Sequence, residues 1–162
     1  MNLLCVPIHS RVSVRAAVAA WHSTRRPPQG WRVAFQLRAP VESWGDLRGY
    51  SVLGVSTWGR PVARAEDQVA TLEHTRMALS PEAPKNSASW FIAANRRWIR
   101  NNMSSVNRLI AYVDEMDHSG VTYRADNWRT VYRSRRRSHT WLSRPGRTGK
   151  VDRLRTKFER SP

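Results

Sequence analysis

A strand that must stop, followed shortly by a helix that opens on small residues, constrains this chain more than any other feature. Residues 71–79 alternate as a β-strand and end at Ser80-Pro81, and residues 89–100 read as a helix. Between them runs Lys85-Asn86-Ser87-Ala88-Ser89-Trp90. Small residues at a helix start leave backbone N–H groups open to an anion, and the helix dipole favours negative charge there. The stretch is therefore a seat for a pyrophosphate. An ordinary capped helix start reads the same way.

The flanking segments continue the pattern. Residues 1–8 read as a first strand, too short for a signal segment or a membrane span. Residues 12–22 have helical spacing, with Val14, Val18 and Trp21 on one face and Ser10 placed as N-cap. Arg25-Arg26-Pro27-Pro28-Gln29-Gly30 ends that helix in a rigid basic loop. Residues 31–37 and 50–58 read as strands with a turn region over 41–49, and Gly59-Arg60-Pro61 stops the second. Leu109-Ile110-Ala111-Tyr112-Val113 suits a buried strand and ends at Asp114. Residues 119–126 suggest a short helix and 128–132 a last strand. The order predicts one α/β (α+β) domain over residues 1–132, a mixed, mostly antiparallel sheet flanked by helices. It is similar to the order of the GNAT N-acetyltransferase superfamily.

Charge narrows the partner. The chain carries 28 Lys and Arg against 12 Asp and Glu, a net charge of +16. That balance favours an anionic partner, with nucleic acid first. A membrane surface comes second, without a long basic amphipathic helix to support it. Positions 124–162 hold 13 basic and 3 acidic residues, including Arg133-Ser134-Arg135-Arg136-Arg137 and Arg144-Pro145-Gly146-Arg147. Residues 133–162 thus read as an Arg-rich C-terminal tail, either solvated or tracking DNA phosphates. Trp141 among the arginines favours the second. Cys5 stands alone, so no disulfide framework exists and a reducing, cytoplasmic compartment is expected.

Three blocks carry a more specific resemblance. The first is Trp21-His22-Ser23-Thr24-Arg25-Arg26-Pro27-Pro28. The second is Leu72-Glu73 through Arg76, followed by Lys85-Asn86-Ser87-Ala88-Ser89. The third is Tyr112-Val113-Asp114, then His118-Ser119-Gly120-Val121-Thr122-Tyr123, then Ala125-Asp126-Asn127-Trp128. Gly59-Arg60-Pro61-Val62-Ala63 adds a weaker fourth. In order and spacing these resemble the Mom family of bacteriophage DNA-modification proteins, a divergent GNAT-like group. The resemblance spans residues 21–132 and leaves the Arg-rich end unmatched.

The resemblance implies an enzyme that places an acetamido (carbamoylmethyl) group on the exocyclic amine of adenine in double-stranded DNA, masking restriction sites. It implies acetyl-CoA as cofactor and iron as a proposed metal. Carried onto this sequence, the metal set is His22, Asp114 and Tyr123, donor types that suit iron, and the catalytic set is Asp114, His118 and Tyr123. Without a metal, Asp114 becomes the general base and Tyr123 the proton donor to a leaving thiolate. Asn86 and the N–H groups of Ser87, Ala88 and Ser89 would hold the pyrophosphate, with Arg76 neutralising it. Arg25, Arg26, Arg135, Arg136, Arg137 and Arg144 would contact DNA phosphates. Each has a plain structural use as well: Asp114 as a turn cap, His118 in a loop, Tyr123 in the core, His22 at a helix end, Arg76 on an exposed strand. Ser23 stands where the family has Tyr, Asp117 precedes His118 where the family has Gly, and the glycine-rich GNAT phosphate loop is absent. The alternatives are an acetyltransferase acting on protein or small-molecule amines, and a noncatalytic basic nucleic-acid-binding protein. Small amines are usually cations, which this charge repels.

Overall fold

A computed structural model describes residues 2–41, 49–134 and 154–162. β1 (Leu4–Ile8) leads into α1 (Arg11–Trp21) and then the run β2 (Val33–Val41), β3 (Gly49–Gly59) and β4 (Thr71–Leu79). α2 (Ser87–Asn102) carries the chain to β5 (Arg108–Asp114), and α3 (Val121–Ala125), β6 (Arg129–Arg133) and β7 (Arg155–Arg160) follow. The described strands form one sheet in the order β1-β2-β3-β4-β5-β7-β6. Only β4 and β5 run parallel among them, and parallel neighbours require a crossover, which α2 supplies. The α+β sheet flanked by helices is therefore the architecture observed.

Helices cover both faces because each has one apolar stripe. Ser10 caps α1 by accepting the Ser13 N–H at 3.2 Å. Val14, Ala17 and Val18 then bury against Ala34, Val55 and Ala78 of the sheet. On the other face α2 presents Phe91, Ile92 and Ile99, spaced for one side of a helix, to Phe35, Leu37, Trp58, Leu72 and Leu109. Full burial of each such side chain contributes about 1.5–3 kcal/mol. No helix among the described residues is long and apolar enough to cross a membrane.

Two irregularities shape the centre of the sheet. The β3–β4 register slips where Thr57 faces Arg76 but Trp58 faces His74, leaving Thr75 as the extra residue. The β4–β5 ladder runs from Thr71↔Arg108 to His74↔Ala111 and stops there. Beyond His74 the strands part: β4 continues beside β3, whereas Tyr112, Val113 and Asp114 of β5 pair with Lys157, Thr156 and Arg155 of β7. A parting between parallel central strands leaves backbone polar groups unpaired and open to an inserted ligand.

The sequence boundary at residue 132 does not hold for the end of the chain. Arg155–Arg160, read as tail, is a strand inserted between β5 and β6. Its charges concealed it. Phe158 is core, 1% exposed, and Lys157 is buried at 5%. Lys157 and Arg108 share the Glu66 carboxylate, Arg129 pairs with Glu159, and Arg160 lies 3.5 Å from Asp126. Burial pushes the Glu66 carboxyl up, but the Lys157 hydrogen bond and the Lys157 and Arg108 charges hold it below its usual range. The turn expected over 41–49 falls mostly on residues outside the described set.

Candidate active site at the strand parting

His74 occupies the last rung before β4 and β5 separate, and two elements, β3 and α3, converge on its ring. Ser56 Oγ on β3 lies 3.1 Å from Nε2. The Tyr123 hydroxyl on α3 lies 2.7 Å from Nδ1. Trp58 packs against the imidazole with ring centroids 4.7 Å apart. Burial pulls the His74 pKa down to about 3, so the ring is neutral at physiological pH. Tyr123 is itself clamped, stacked on Phe158 at 5.3 Å and met edge-on by Trp128 at 5.2 Å. Burial raises its phenol well above the ordinary range, which keeps the proton on oxygen.

The approach of α3 to Phe158 depends on Gly120. It sits at φ 72°, and a Cβ there would lie 2.7 Å from the Phe158 ring. At the far end of α3, Asp126 accepts from Arg96 of α2 at 3.0 Å and from the Trp128 indole at 2.9 Å. Trp58 donates to the buried Asn95 side chain at 2.9 Å, tying β3 to α2.

The α1 side of the parting is polar. Side chains alternate along a strand, so with Leu72 in the α2-side core Glu73 points the other way. Glu73 is 7% exposed and accepts the Val62 N–H at 2.8 Å. Burial pushes its carboxyl above the usual value. Arg76, expected at the pyrophosphate, instead donates to the carbonyls of Arg26 at 3.2 Å and Thr75 at 2.7 Å. It pins the loop after α1. His22 ends α1, its Nδ1 accepting from Thr24 N–H at 3.1 Å. Burial first, and then the charges of Arg76 and His118, lower its pKa. His22, His118 and Asp117 are thus neighbours at the mouth.

Asp114 has the turn role as well. Its Oδ1 accepts the Met116 N–H at 3.1 Å and its carbonyl accepts from His118 N–H at 3.0 Å. Val113 lies in the α2-side core, so Asp114 points to the face opposite Tyr123. The implied iron set is not assembled: Tyr123 is bound to His74 on one face while His22 and Asp114 serve a helix end and a turn on the other. Among the described residues no three His, Cys, Asp or Glu side chains gather as metal ligands. The residues present do not fit that metal.

The N-terminus of α2 fits an anion better. Asn86, the cap residue, has φ 66° and makes no side-chain cap bond. The Ser87 N–H is spent on the Pro84 carbonyl at 3.1 Å, so it leaves the expected donor set. Ala88 and Ser89 N–H groups have no intrahelical acceptor. The Ser89 hydroxyl turns back to the Asn86 carbonyl at 3.0 Å. The Ser87 hydroxyl is buried with no partner among the described residues. A buried unsatisfied hydroxyl costs on the order of 1–3 kcal/mol and calls for a ligand. Arg25 and Arg26 are exposed in the loop after α1, while Arg135, Arg136, Arg137 and Arg144 lie outside the described residues.

Sequence reasoning missed His74, Ser56, Glu73 and Asn95. The available signal was a run of polar residues, Glu73-His74-Thr75-Arg76, inside an otherwise central strand.

Comparison with known proteins places this geometry. A sequence model of the Mom protein family matches residues 4–155. That span reaches the first residue of β7, beyond residues 21–132 that carry the resemblance. No curated protein sequence matches significantly. Among solved structures, Arabidopsis thaliana NAA60 in complex with acetyl-CoA superposes with a TM-score of 0.64 at 10% identity, covering 99% of this chain and 98% of that one. An N-acetyltransferase from Staphylococcus aureus Mu50 gives 0.62 at 14% identity, covering 99% of each chain. A Bacillus subtilis acetyltransferase in complex with CoA gives 0.61 at 8% identity, again covering 99% of each. At such identities the likeness shows the fold, which is that of the GNAT acetyltransferases.

Proposed function

The chain belongs to the Mom protein family, and on that premise we propose that it is a phage DNA-modification enzyme that adds an acetamido (carbamoylmethyl) group to the exocyclic amine of adenine. The donor is acetyl-CoA, the acceptor double-stranded DNA, and the outcome protection from restriction in the host cytoplasm. The observations that carry the reading are the parting of β4 from β5 and the unsatisfied Ser87 hydroxyl at the head of α2, the helix that joins those two strands.

Ser87 Oγ and the N–H groups of Ala88 and Ser89 would hold the cofactor's pyrophosphate. Bound there, acetyl-CoA would supply an acetyl unit as a thioester; carbamoylmethyl is joined to nitrogen through its methylene and carries an amide nitrogen, so building it from that unit also takes a nitrogen source and a two-electron oxidant as co-reactants. Tyr123 keeps a proton at the parting and can deliver it to sulfur. On the opposite face a carboxylate takes the proton that the adenine amine loses. Glu73 is a suitable acceptor there, because burial outweighs its hydrogen bond from the Val62 N–H and raises its basicity. The exocyclic amine of adenine is base-paired, so the base must leave the stack to reach these groups. Arg25 and Arg26 at the mouth grip phosphates, which positions the duplex without reading its sequence.

Plain N-acetylation is the competing outcome, favoured by the acetyltransferase fold. Nucleoside mass spectrometry of plasmid DNA from cells expressing the protein separates the two. A deoxyadenosine species with carbamoylmethyl mass is expected. An acetyl mass would make the enzyme a simple acyltransferase, and unmodified DNA from folded, CoA-supplied protein would sink the DNA assignment.

A further inference from the structure

The buried histidine of β4 has no place in the scheme above, yet it touches the group that does. His74 could be replaced by an apolar residue at lower cost if it only filled space, since a buried imidazole must satisfy two ring nitrogens. Here both are met, by hydroxyls from two different elements, at 3.1 Å and 2.7 Å. The rings are fixed: Trp58 lies against His74, and Phe158 and Trp128 against Tyr123. The line Ser56–His74–Tyr123 ends where β4 and β5 separate.

A neutral imidazole carries one proton, and its placement decides what Tyr123 can do. With the proton on Nε2, the ring donates to Ser56 and Nδ1 accepts the phenol proton, which then points away from the parting. With the proton on Nδ1, the ring donates to the phenol oxygen and Ser56 donates to Nε2. The phenol proton is then free to face the parting. Resting on acetyl-CoA as acyl donor, and so on the N-acetylation outcome above, we propose that His74 is a positioning residue, held by Ser56 with its proton on Nδ1, that aims the Tyr123 hydroxyl at the thioester sulfur and steadies the phenolate left behind.

The step balances. An amine nitrogen bonds to the acyl carbon, the C–S bond breaks with its electron pair on sulfur, and the Tyr123 proton moves to sulfur to give the free thiol. The amine proton goes to the carboxylate on the α1 side and returns to the phenolate through solvent. During the interval the Nδ1–H donates a charge-assisted hydrogen bond to the phenolate. Two apolar-packed rings exclude water there, which strengthens that bond.

The first test needs no variant and no turnover. Nitrogen-15 NMR of the full-length protein reads the His74 tautomer, assigned by its loss in His74→Asn. Protonated Nδ1, with its resonance shifted in Tyr123→Phe, is the expected result. Protonated Nε2 overturns the proposal. The second test follows thiol release from acetyl-CoA in the presence of duplex DNA. His74→Phe should lower kcat by about as much as Tyr123→Phe, on the order of 10²-fold or more for loss of an aimed general acid, with the KM for acetyl-CoA within about twofold. His74→Asn, whose amide can still donate toward the phenol, should regain roughly tenfold over His74→Phe, about 1.4 kcal/mol at kcat. Unchanged kcat in His74→Phe overturns the proposal even if the tautomer is right. If wild-type protein releases no thiol, the acyl-donor reading has failed, and His74 then aims Tyr123 at no sulfur, so the proposal falls with it whichever tautomer is present.

Discussion

His74 makes acid sensitivity a property of one side chain. Its folded pKa is depressed to about 3 from an ordinary value of 6.5. The unfolded chain therefore binds a proton that the folded chain refuses, across the interval between those values. Its stabilising share is complete above pH 6.5 and declines as pH falls toward 3, by about 1.4 kcal/mol per pH unit. Urea melts at pH 7.0 and 5.5 should differ by about 1.3 kcal/mol, and His74→Asn should flatten that difference. An equal slope in wild type and variant would show that another group carries it. Gly120 is the second residue with a sharp expectation. Gly120→Ala places a methyl against Phe158 at a positive φ, so it should lower stability by about 1–3 kcal/mol and loosen Tyr123. A thermal melt matching wild type would refute that packing. The elements under the proposed site were legible at this scale: Asn86-Ser87-Ala88-Ser89 opens α2, and Tyr123 falls in the short helix expected over 119–126. His74 was not, because a polar residue in a strand looks solvent-facing until its partners, 18 positions before it and 49 after it, are known.

Elements were legible where periodicity reports burial directly. α1, α2 and the alternating strands each bury one face, so their apolar residues recur at the expected spacing. β7 was hidden because its burial is paid in ion pairs: Lys157 with Glu66, Glu159 with Arg129, Arg160 beside Asp126. A strand of Arg, Thr, Lys, Phe, Glu and Arg looks like tail until acids from other elements are set against it. Arg76 was misplaced for a related reason, since its partners are carbonyls, which leave no mark in sequence. The head of α2 gives the prediction proper to this scale. Ser89→Asp, at a half-buried position of the first turn, puts a negative charge where an anion is expected, yet an acid suits a helix N-terminus. Isothermal titration with CoA should therefore show at least about tenfold weaker binding, roughly 1.4 kcal/mol, with little loss of thermal stability. Undiminished CoA affinity would move the cofactor elsewhere.

For the whole molecule, the question is how a strongly basic chain would present its charge to the DNA proposed as its partner. β6 ends at Arg133 and β7 begins at Arg155, with Ser134 N–H donating to the Arg155 carbonyl at 2.8 Å. Both strand ends stand beside Asp114, at the same end of the sheet as the parting. The intervening residues 135–153 carry seven Arg or Lys and one Asp. This sequence is therefore an insertion between paired strands rather than a terminal tail, and two manipulations that look alike should behave differently. Truncation before residue 154 removes Phe158 and Lys157 from the sheet, leaves the Glu66 carboxylate with Arg108 alone, and should yield unfolded protein. Replacing 135–153 by a short hairpin turn keeps every described strand, so folding and CoA affinity should survive while DNA affinity falls. Each lost Lys or Arg contact to phosphate flattens the plot of log affinity against log salt by about 0.9. If half of the seven touch phosphate, the slope should fall by roughly 3. A variant that keeps the wild-type slope would mean that Arg25, Arg26 and the rest of the described surface carry DNA alone. Adenine would then have to reach the parting from the α1 side without help from the insertion.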